Sequence, residues 1–205
     1  MDSSFLSKTE LRKVGFRNIG ENVKISRNSQ VYRPKLISIG NNVRIDDFCI
    51  LSGNISIGSY VHISAYTALF GKAGITIEDF VSVSSRVNVY SVNDDYSGKF
   101  LTNPTVPGEL TNIKAEPVLM KKHVIIGAGS ILLPGVIIGE GTAVGALSLV
   151  NQSLDPWKIY AGIPCRPIKN RKQDLLALEK DVIQKTMPVK ENENKYNHGK
   201  FPALK

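Results

Sequence analysis

In 205 residues the chain has only two cysteines, one tryptophan and three histidines. Cys49 and Cys165 lie far apart without metal-type spacing, which excludes a disulfide framework and suits a reducing compartment. No apolar run reaches the roughly 18 residues of a membrane-spanning helix, and the opening MDSSFLSKTELRKVGF lacks the apolar stretch of a secretory signal. A soluble, cytoplasmic protein without stable membrane association is expected. Aromatic residues make up 7% of the chain and do not alternate with its basic ones, so the net charge of +8 does not read as a nucleic-acid surface. A phosphorylated small molecule is the anionic partner it suits best. The length allows one domain with a modest appendage.

What the sequence has in abundance is a repeat. Aliphatic residues recur every six positions: Ile19, Ile25, Val31, then Ile39, Ile45, Leu51, Ile57, Ile63, Leu69, then Ile77, Val83, Val89. After a long break the register resumes at Met120, Ile126, Leu132, Ile138, Val144 and Val150. Glycine often follows, as at Gly20, Gly40, Gly58, Gly127, Gly139 and Gly145. A helix needs spacings of three and four, and a β-sandwich needs alternation with turns every eight to twelve residues. Six residues per flat face and three faces per coil give instead a three-sided column of short parallel strands. Its aliphatics point inward and stack coil upon coil, with Gly, Asn and Asp expected at the corners.

The strings "IGNNVRI", "IGSYVHI", "IIGAGSILLPGVIIGEGTAVGALSLV" and "YAGIPCRPIK" resemble the hexapeptide-repeat acetyltransferases, in particular the galactoside, maltose and Nod-factor group. The resemblance spans about residues 17–170. It implies an all-β fold, a left-handed parallel β-helix assembled as a homotrimer, with acetyl-CoA as co-substrate and no metal. Around the column (17–168) the sequence predicts a short N-terminal helix within 1–16, opened by Ser7, Thr9 and Glu10. It also predicts a protruding loop at 94–117, a C-terminal amphipathic helix at 169–187 and a polar tail at 188–205. The loop is rich in Pro, Gly and Asn and leaves a continuous scaffold, which favours a functional role. In the resembled family such a loop reaches over a neighbouring subunit's site.

Transfer from a thioester needs a base, an oxyanion donor and a groove for CoA. The resemblance places Asp94 where relatives carry a catalytic His, in "YSVNDDYSG" where "SHDY" is usual. Taken alone, Asn93-Asp94-Asp95 reads equally as turn chemistry opening a loop. An alcohol needs a base near neutrality, whereas a sugar amine loses its proton readily, so Asp in place of His tilts the acceptor from hydroxyl towards amine. His123 is a second candidate base, Asp95 is placed to orient either candidate, and His62, Ser64, Asp95 and Tyr96 are candidate acceptor contacts; His198 lies in the tail. Ala128, Ala146 and Pro164, spaced 18 apart, would stack along one edge to receive the pantetheine arm. By resemblance Asn151 contacts CoA and Arg166 and Lys169 meet its 3′-phosphate, while a basic helix start there would otherwise be awkward.

Over its whole length the chain resembles the acyltransferases that acetylate dTDP-4-amino-4,6-dideoxyglucose for bacterial O-antigen. That implies a nucleotide-sugar N-acetyltransferase in surface-polysaccharide (lipopolysaccharide) biosynthesis, with a sugar O-acetyltransferase as the alternative. A metal lyase on the same column needs three histidines on neighbouring coils, and the repeat holds only His62 and His123. A non-catalytic solenoid gives no reason for the loop.

Overall fold

In the computed structural model, which describes residues 4–186, the sixfold register becomes three faces. The first face stacks Ile19, Ile39, Ile57, Ile77, Met120 and Ile138 in parallel register. The second stacks Ile25, Ile45, Ile63, Val83, Ile126, Val144 and Tyr160. The third stacks Val31, Leu51, Leu69, Val89, Leu132 and Val150. Most of these side chains are buried at 0–4% exposure, Ile19 and Val31 at the first coil being only partly so. Each fully buried Leu or Ile contributes about 1.5–3 kcal/mol. No single coil could gain this alone, so stability comes from stacking.

Asn22, Asn42, Gly129, Gly135 and Gly141 take left-handed corners as expected, but large residues take others. Positive φ is carried by Tyr60, Phe80, His123 and Trp157 between the first and second faces, and by Phe48, Tyr66, Arg86 and Leu147 between the second and third. Left-handed backbone costs a non-glycine residue about 1–2 kcal/mol. Ring stacking along the column offsets it: Tyr60–Phe80 centroids are 4.7 Å apart at 5°, and Phe80–His123 are 5.3 Å apart. The repeat's glycines serve a different need. A Cβ on Gly40 would sit 2.7 Å from the carbonyl carbon of Gly58, so adjacent coils leave it no room.

At the base, helix α1 (Lys8–Val14) begins with a capping box in which Ser7 accepts from the Glu10 amide and Glu10 accepts from Ser7. Leu11 of α1 joins the core. Arg27 grips both oxygens of Glu10 at 2.6 and 2.8 Å, and its hydrogen bonds, with those of Ser7, hold that carboxyl at about 2. The loop is built on a short antiparallel ladder, Val92 opposite Ala115 and Asn93 opposite Lys114, with a bridge between Leu101 and Thr111 further out. The chain then rejoins the first face at Val118–Met120.

The C-terminal boundary also differs from expectation. Cys165–Asn170 is not the start of a helix but a strand, antiparallel to Lys158–Gly162 on the second face. Pro167 supplies no amide hydrogen, which suits an edge strand better than a helix interior. Helix α2 runs Leu175–Thr186. One compact unit ends at Arg171 and a second begins at Lys172. The tail 188–205 lies outside the described residues. No helix among the described residues is long and apolar enough to cross a membrane.

Candidate active site

In each short strand of the second face, the residues on either side of the buried aliphatic point outward. In the lower coils these are Arg44 and Asp46, His62 and Ser64, then Ser82 and Ser84, with Arg44, His62 and Ser82 in register. Asp46 links two coils: its Oδ2 lies 2.7 Å from His62 Nε2, and its Oδ1 accepts from Arg44 Nε at 2.6 Å. Partial burial pushes the Asp46 carboxyl up, but the hydrogen bonds from Arg44 and His62 outweigh it and hold it below the usual range. Ser64 and Ser84 are half-buried, and among the described residues neither hydroxyl has a hydrogen-bond partner. Their backbones are engaged instead, the Ser64 carbonyl accepting from Cys49 Sγ and the Ser84 carbonyl from Thr67 Oγ1. Burial pushes the Cys49 thiol up to about 11, which leaves it inert as a nucleophile.

Asp46 and Ser84 escape a reading of the sequence by motif. Ser84 could have been found from the repeat, because it occupies the Ser64 position one coil on. The Asp46–His62 contact crosses 16 residues and follows only from the coil length.

Asp94 is exposed, the first residue beyond the strand Val92–Asn93, at the edge between the third and first faces. Asp95 closes a local turn, accepting from the Ser97 amide (2.8 Å) and hydroxyl (2.6 Å) and from Asn112 Nδ2 (3.3 Å). The Ser97 bonds hold its carboxyl below the ordinary value. Tyr96 is 87% exposed. These three share the neck of the loop, whereas His62 and Ser64 sit on the second face, so one chain does not bring the two groups together.

His123 lies elsewhere again, at the corner between the first and second faces. Its ring is stacked on Phe80 and tilted 37° against Trp157, and it is 6% exposed. Arg171 donates one nitrogen to the carbonyls of His123 and Gly141, both at 2.9 Å, closing this corner from outside. The expected partnership of Asp95 with a histidine is absent from the hydrogen bonds of Asp95, which all go to the loop itself.

The edge between the second and third faces carries Ala128, half-buried, and Ala146, exposed, one above the other. The Ala128 carbonyl accepts from the Leu147 amide at 2.8 Å, and a Cβ on Gly127 would lie 2.4 Å from the Ala146 nitrogen, so the backbone here is bare and tightly stacked. Pro164 does not complete this column. The last coil is two residues short: Val144 pairs with Tyr160, 16 residues on, which brings Gly162 to the rung above Ala146 and carries Pro164 into the turn beyond. Arg166 and Lys169 stand on the returning strand opposite Ala161 and Ile159, both exposed, so no helix dipole repels them. Asn151 is exposed just after the strand Leu149–Val150. Among the described residues no three His, Cys, Asp or Glu side chains are grouped to hold a metal ion.

Residues 37–71 match the family profile described as bacterial transferase hexapeptide (six repeats). The chain is 49% identical over 179 residues to the dTDP-4-amino-4,6-dideoxy-D-glucose acyltransferase of Escherichia coli, covering 86% of this chain and 93% of that one. It is 55% identical, with a TM-score of 0.88 over 90% of this chain and 98% of the other, to AntD, an N-acyltransferase from Bacillus cereus solved with dTDP and 3-hydroxybutyryl-CoA. AntD has also been solved as D94A with dTDP and coenzyme A, and as S84A with dTDP-4-amino-4,6-dideoxyglucose and coenzyme A. Galactoside O-acetyltransferase of Escherichia coli K12 is 27% identical over 79% of this chain and 68% of its own length. The likeness to AntD identifies the column as a left-handed parallel β-helix.

Proposed function

This chain belongs to the hexapeptide-repeat acyltransferases that act on dTDP-4-amino-4,6-dideoxyglucose, and from that premise we propose how its own residues divide the reaction. It is an N-acyltransferase that moves an acyl group from an acyl-CoA to the amine of the nucleotide-linked 4-amino-4,6-dideoxysugar. The observation that carries this is the 49% identity running over 86% of the chain. The geometry agrees in kind: a bare backbone edge borders a polar face, and a loop bears a carboxylate in place of an imidazole.

Acyl-CoA lies with its pantetheine along Ala128 and Ala146 and its 3′-phosphate towards Arg166 and Lys169, with Asn151 beside it. Pro164 bounds the end of that edge. This orientation brings the thioester down to the coil of Ser84, where the bare edge ends and the hydroxyl face begins. The amine lone pair attacks the thioester carbon, the carbonyl becomes an oxyanion, and collapse expels the CoA thiolate. The proton lost by nitrogen goes to Asp94 and from there to the thiolate. Ser64 and Ser84, with hydroxyls unclaimed among the described residues, supply donors around the reacting centre. His62, fixed by Asp46, orients the acceptor, and Asp95 and Tyr96 border it from the loop neck. His123, the reserve base, is better employed as a rung of its aromatic column.

Asp94 and the hydroxyl face stand on different sides of one column, which is why a homotrimer suits the reading: the loop neck of one subunit meets the second face of the next. Acetyl is the acyl group assigned here, the product a building block for surface polysaccharide such as O-antigen. The cytosol, where acyl-CoA is kept and where Cys49 and Cys165 would stay reduced, is the location this reading assigns. Thiol release from acetyl-CoA and 3-hydroxybutyryl-CoA, measured with dTDP-4-amino-4,6-dideoxyglucose, tests the donor. A higher kcat/KM for acetyl-CoA is expected, and preference for the longer chain would reassign it. Asp94→Asn should lower kcat by about 10²-fold or more with CoA affinity unchanged; wild-type turnover would remove Asp94 from the mechanism.

A further inference from the structure

The second face ends in the strand Cys165–Asn170, and among the described residues no strand pairs beyond it. Its hold on Lys158–Gly162 is thin. The register slips between Ile159 and Tyr160, and Pro167 has no amide to donate. Cys165 anchors one end in the core at 0% exposure, but every residue from Arg166 to Asn170 is exposed. The other end is held by Arg171. Its amide donates to the Trp157 carbonyl at 2.8 Å, and its Nη1 reaches down to the carbonyls of Gly141 and His123, both at 2.9 Å. Those corners do not need Arg171 to hold one another. The Gly141 amide already donates to the Lys122 carbonyl and the Trp157 amide to that of Glu140, each at 2.8 Å. What depends on Arg171 is the strand. That strand carries Arg166 and Lys169, and among the described residues neither has an ion-pair partner.

We infer that Arg171 is a positioning residue for the acyl donor: it clamps the last strand to the corner so that Arg166 and Lys169 stand as a fixed pair. The inference deepens the acyltransferase reading above and rests on its placement of the CoA 3′-phosphate at those two cations. Arg171 acts through the strand and not on the donor. Its guanidinium is turned to the corner between the first and second faces, whereas the donor edge lies between the second and third. Cations on a strand tied at both ends lose less freedom when an anion arrives than cations on a loose one, and so bind it more tightly. The device is economical in sequence terms, because one residue just past the strand fixes two others that precede it.

Thiol release by the full-length protein, from acetyl-CoA and from 3′-dephospho-acetyl-CoA with dTDP-4-amino-4,6-dideoxyglucose as acceptor, tests the assignment. The wild type should show a KM about tenfold lower for the phosphorylated donor. Arg171→Met should raise KM for acetyl-CoA by about five- to tenfold, with kcat and the KM values for the dephospho donor and the nucleotide sugar held within about twofold. Arg171→Lys, which keeps the charge on a shorter reach, should fall between; it carries the same comparison if the Met variant does not fold. Arg166→Ala with Lys169→Ala should show the same loss, and adding Arg171→Met to that pair should cost nothing more. Equal losses for both donors and the sugar, or full additivity in the triple variant, would make Arg171 a structural clasp and overturn the inference. A wild type that releases thiol from both donors equally well would overturn it too, moving the phosphate elsewhere while sparing acyl transfer. Release from neither donor would take the acyltransferase reading down with it.

Discussion

Along the second face, the strands from Lys24–Ile25 to Ser82–Val83 and those from Ile125–Ile126 to Lys158–Gly162 bury the same kinds of side chain but present different groups outward. Below stand Arg44, Asp46, His62, Ser64, Ser82 and Ser84; above stand Ile125, Ala143 and Ile159 on one side of the buried column and Gly127, Gly145 and Ala161 on the other. Inward positions make the column and are interchangeable in kind. Outward positions are free to differ, and in the proposed reading the hydroxyls, imidazole and carboxylate serve a polar acceptor and the bare backbone a thin pantetheine chain. A solenoid can therefore change its chemistry coil by coil without changing its core, because the two alternate along each strand.

The sharpest break of this comparison places bulk on the bare half. Ala146→Phe should cut kcat/KM for acyl-CoA by about 10²-fold, since a ring there blocks the edge. Its melting temperature should stay near wild type because Ala146 is exposed. Normal kinetics in that variant would move CoA elsewhere. A core change should do the reverse. Leu69→Ala, at a site with 0% exposure, should cost about 2–5 kcal/mol in denaturant unfolding and leave the substrate KM values of the folded fraction unaltered.

On the polar half, Asp46→Asn should raise KM for the nucleotide sugar by about tenfold, because His62 loses the partner that fixes its ring, with KM for acyl-CoA unmoved. Equal loss for both substrates would make the Asp46–His62 pair structural. The smallest effect is at the base of the column. Glu10 has its carboxyl depressed to about 2 from an ordinary 4.5, so the stability it lends is fully present above pH 4.5 and lost as pH falls towards 2. Glu10→Gln should flatten that acid-side decline, read from thermal melts at a series of pH values.

The inward columns were legible because burial imposes a strict six-residue period, and with it came the three faces and the edge bearing Ala128 and Ala146. The capping box was legible too, since Ser7 and Glu10 interact within one turn. Other features depend on neighbours a coil away. Tyr60, Phe80 and His123 hold left-handed corners because each ring rests on the next, a relation that local propensity does not express. Pro164 falls outside its column because the last coil is two residues short. Cys165–Asn170 is a strand because it has Lys158–Gly162 to pair with. The motif reading named His62 and Ser64 as candidates but not Asp46, whose contact with His62 spans the coil, or Ser84, which repeats a position rather than a motif.

Amine transfer itself is tested most directly by presenting the enzyme and acyl-CoA with dTDP-4-amino-4,6-dideoxyglucose or with the same nucleotide sugar bearing a hydroxyl at that carbon. Thiol release is followed, and the product bond is identified by NMR. The account predicts rapid release with an amide formed in the first case and at most background release in the second. Comparable turnover of the hydroxyl sugar, with an ester as product, would contradict it.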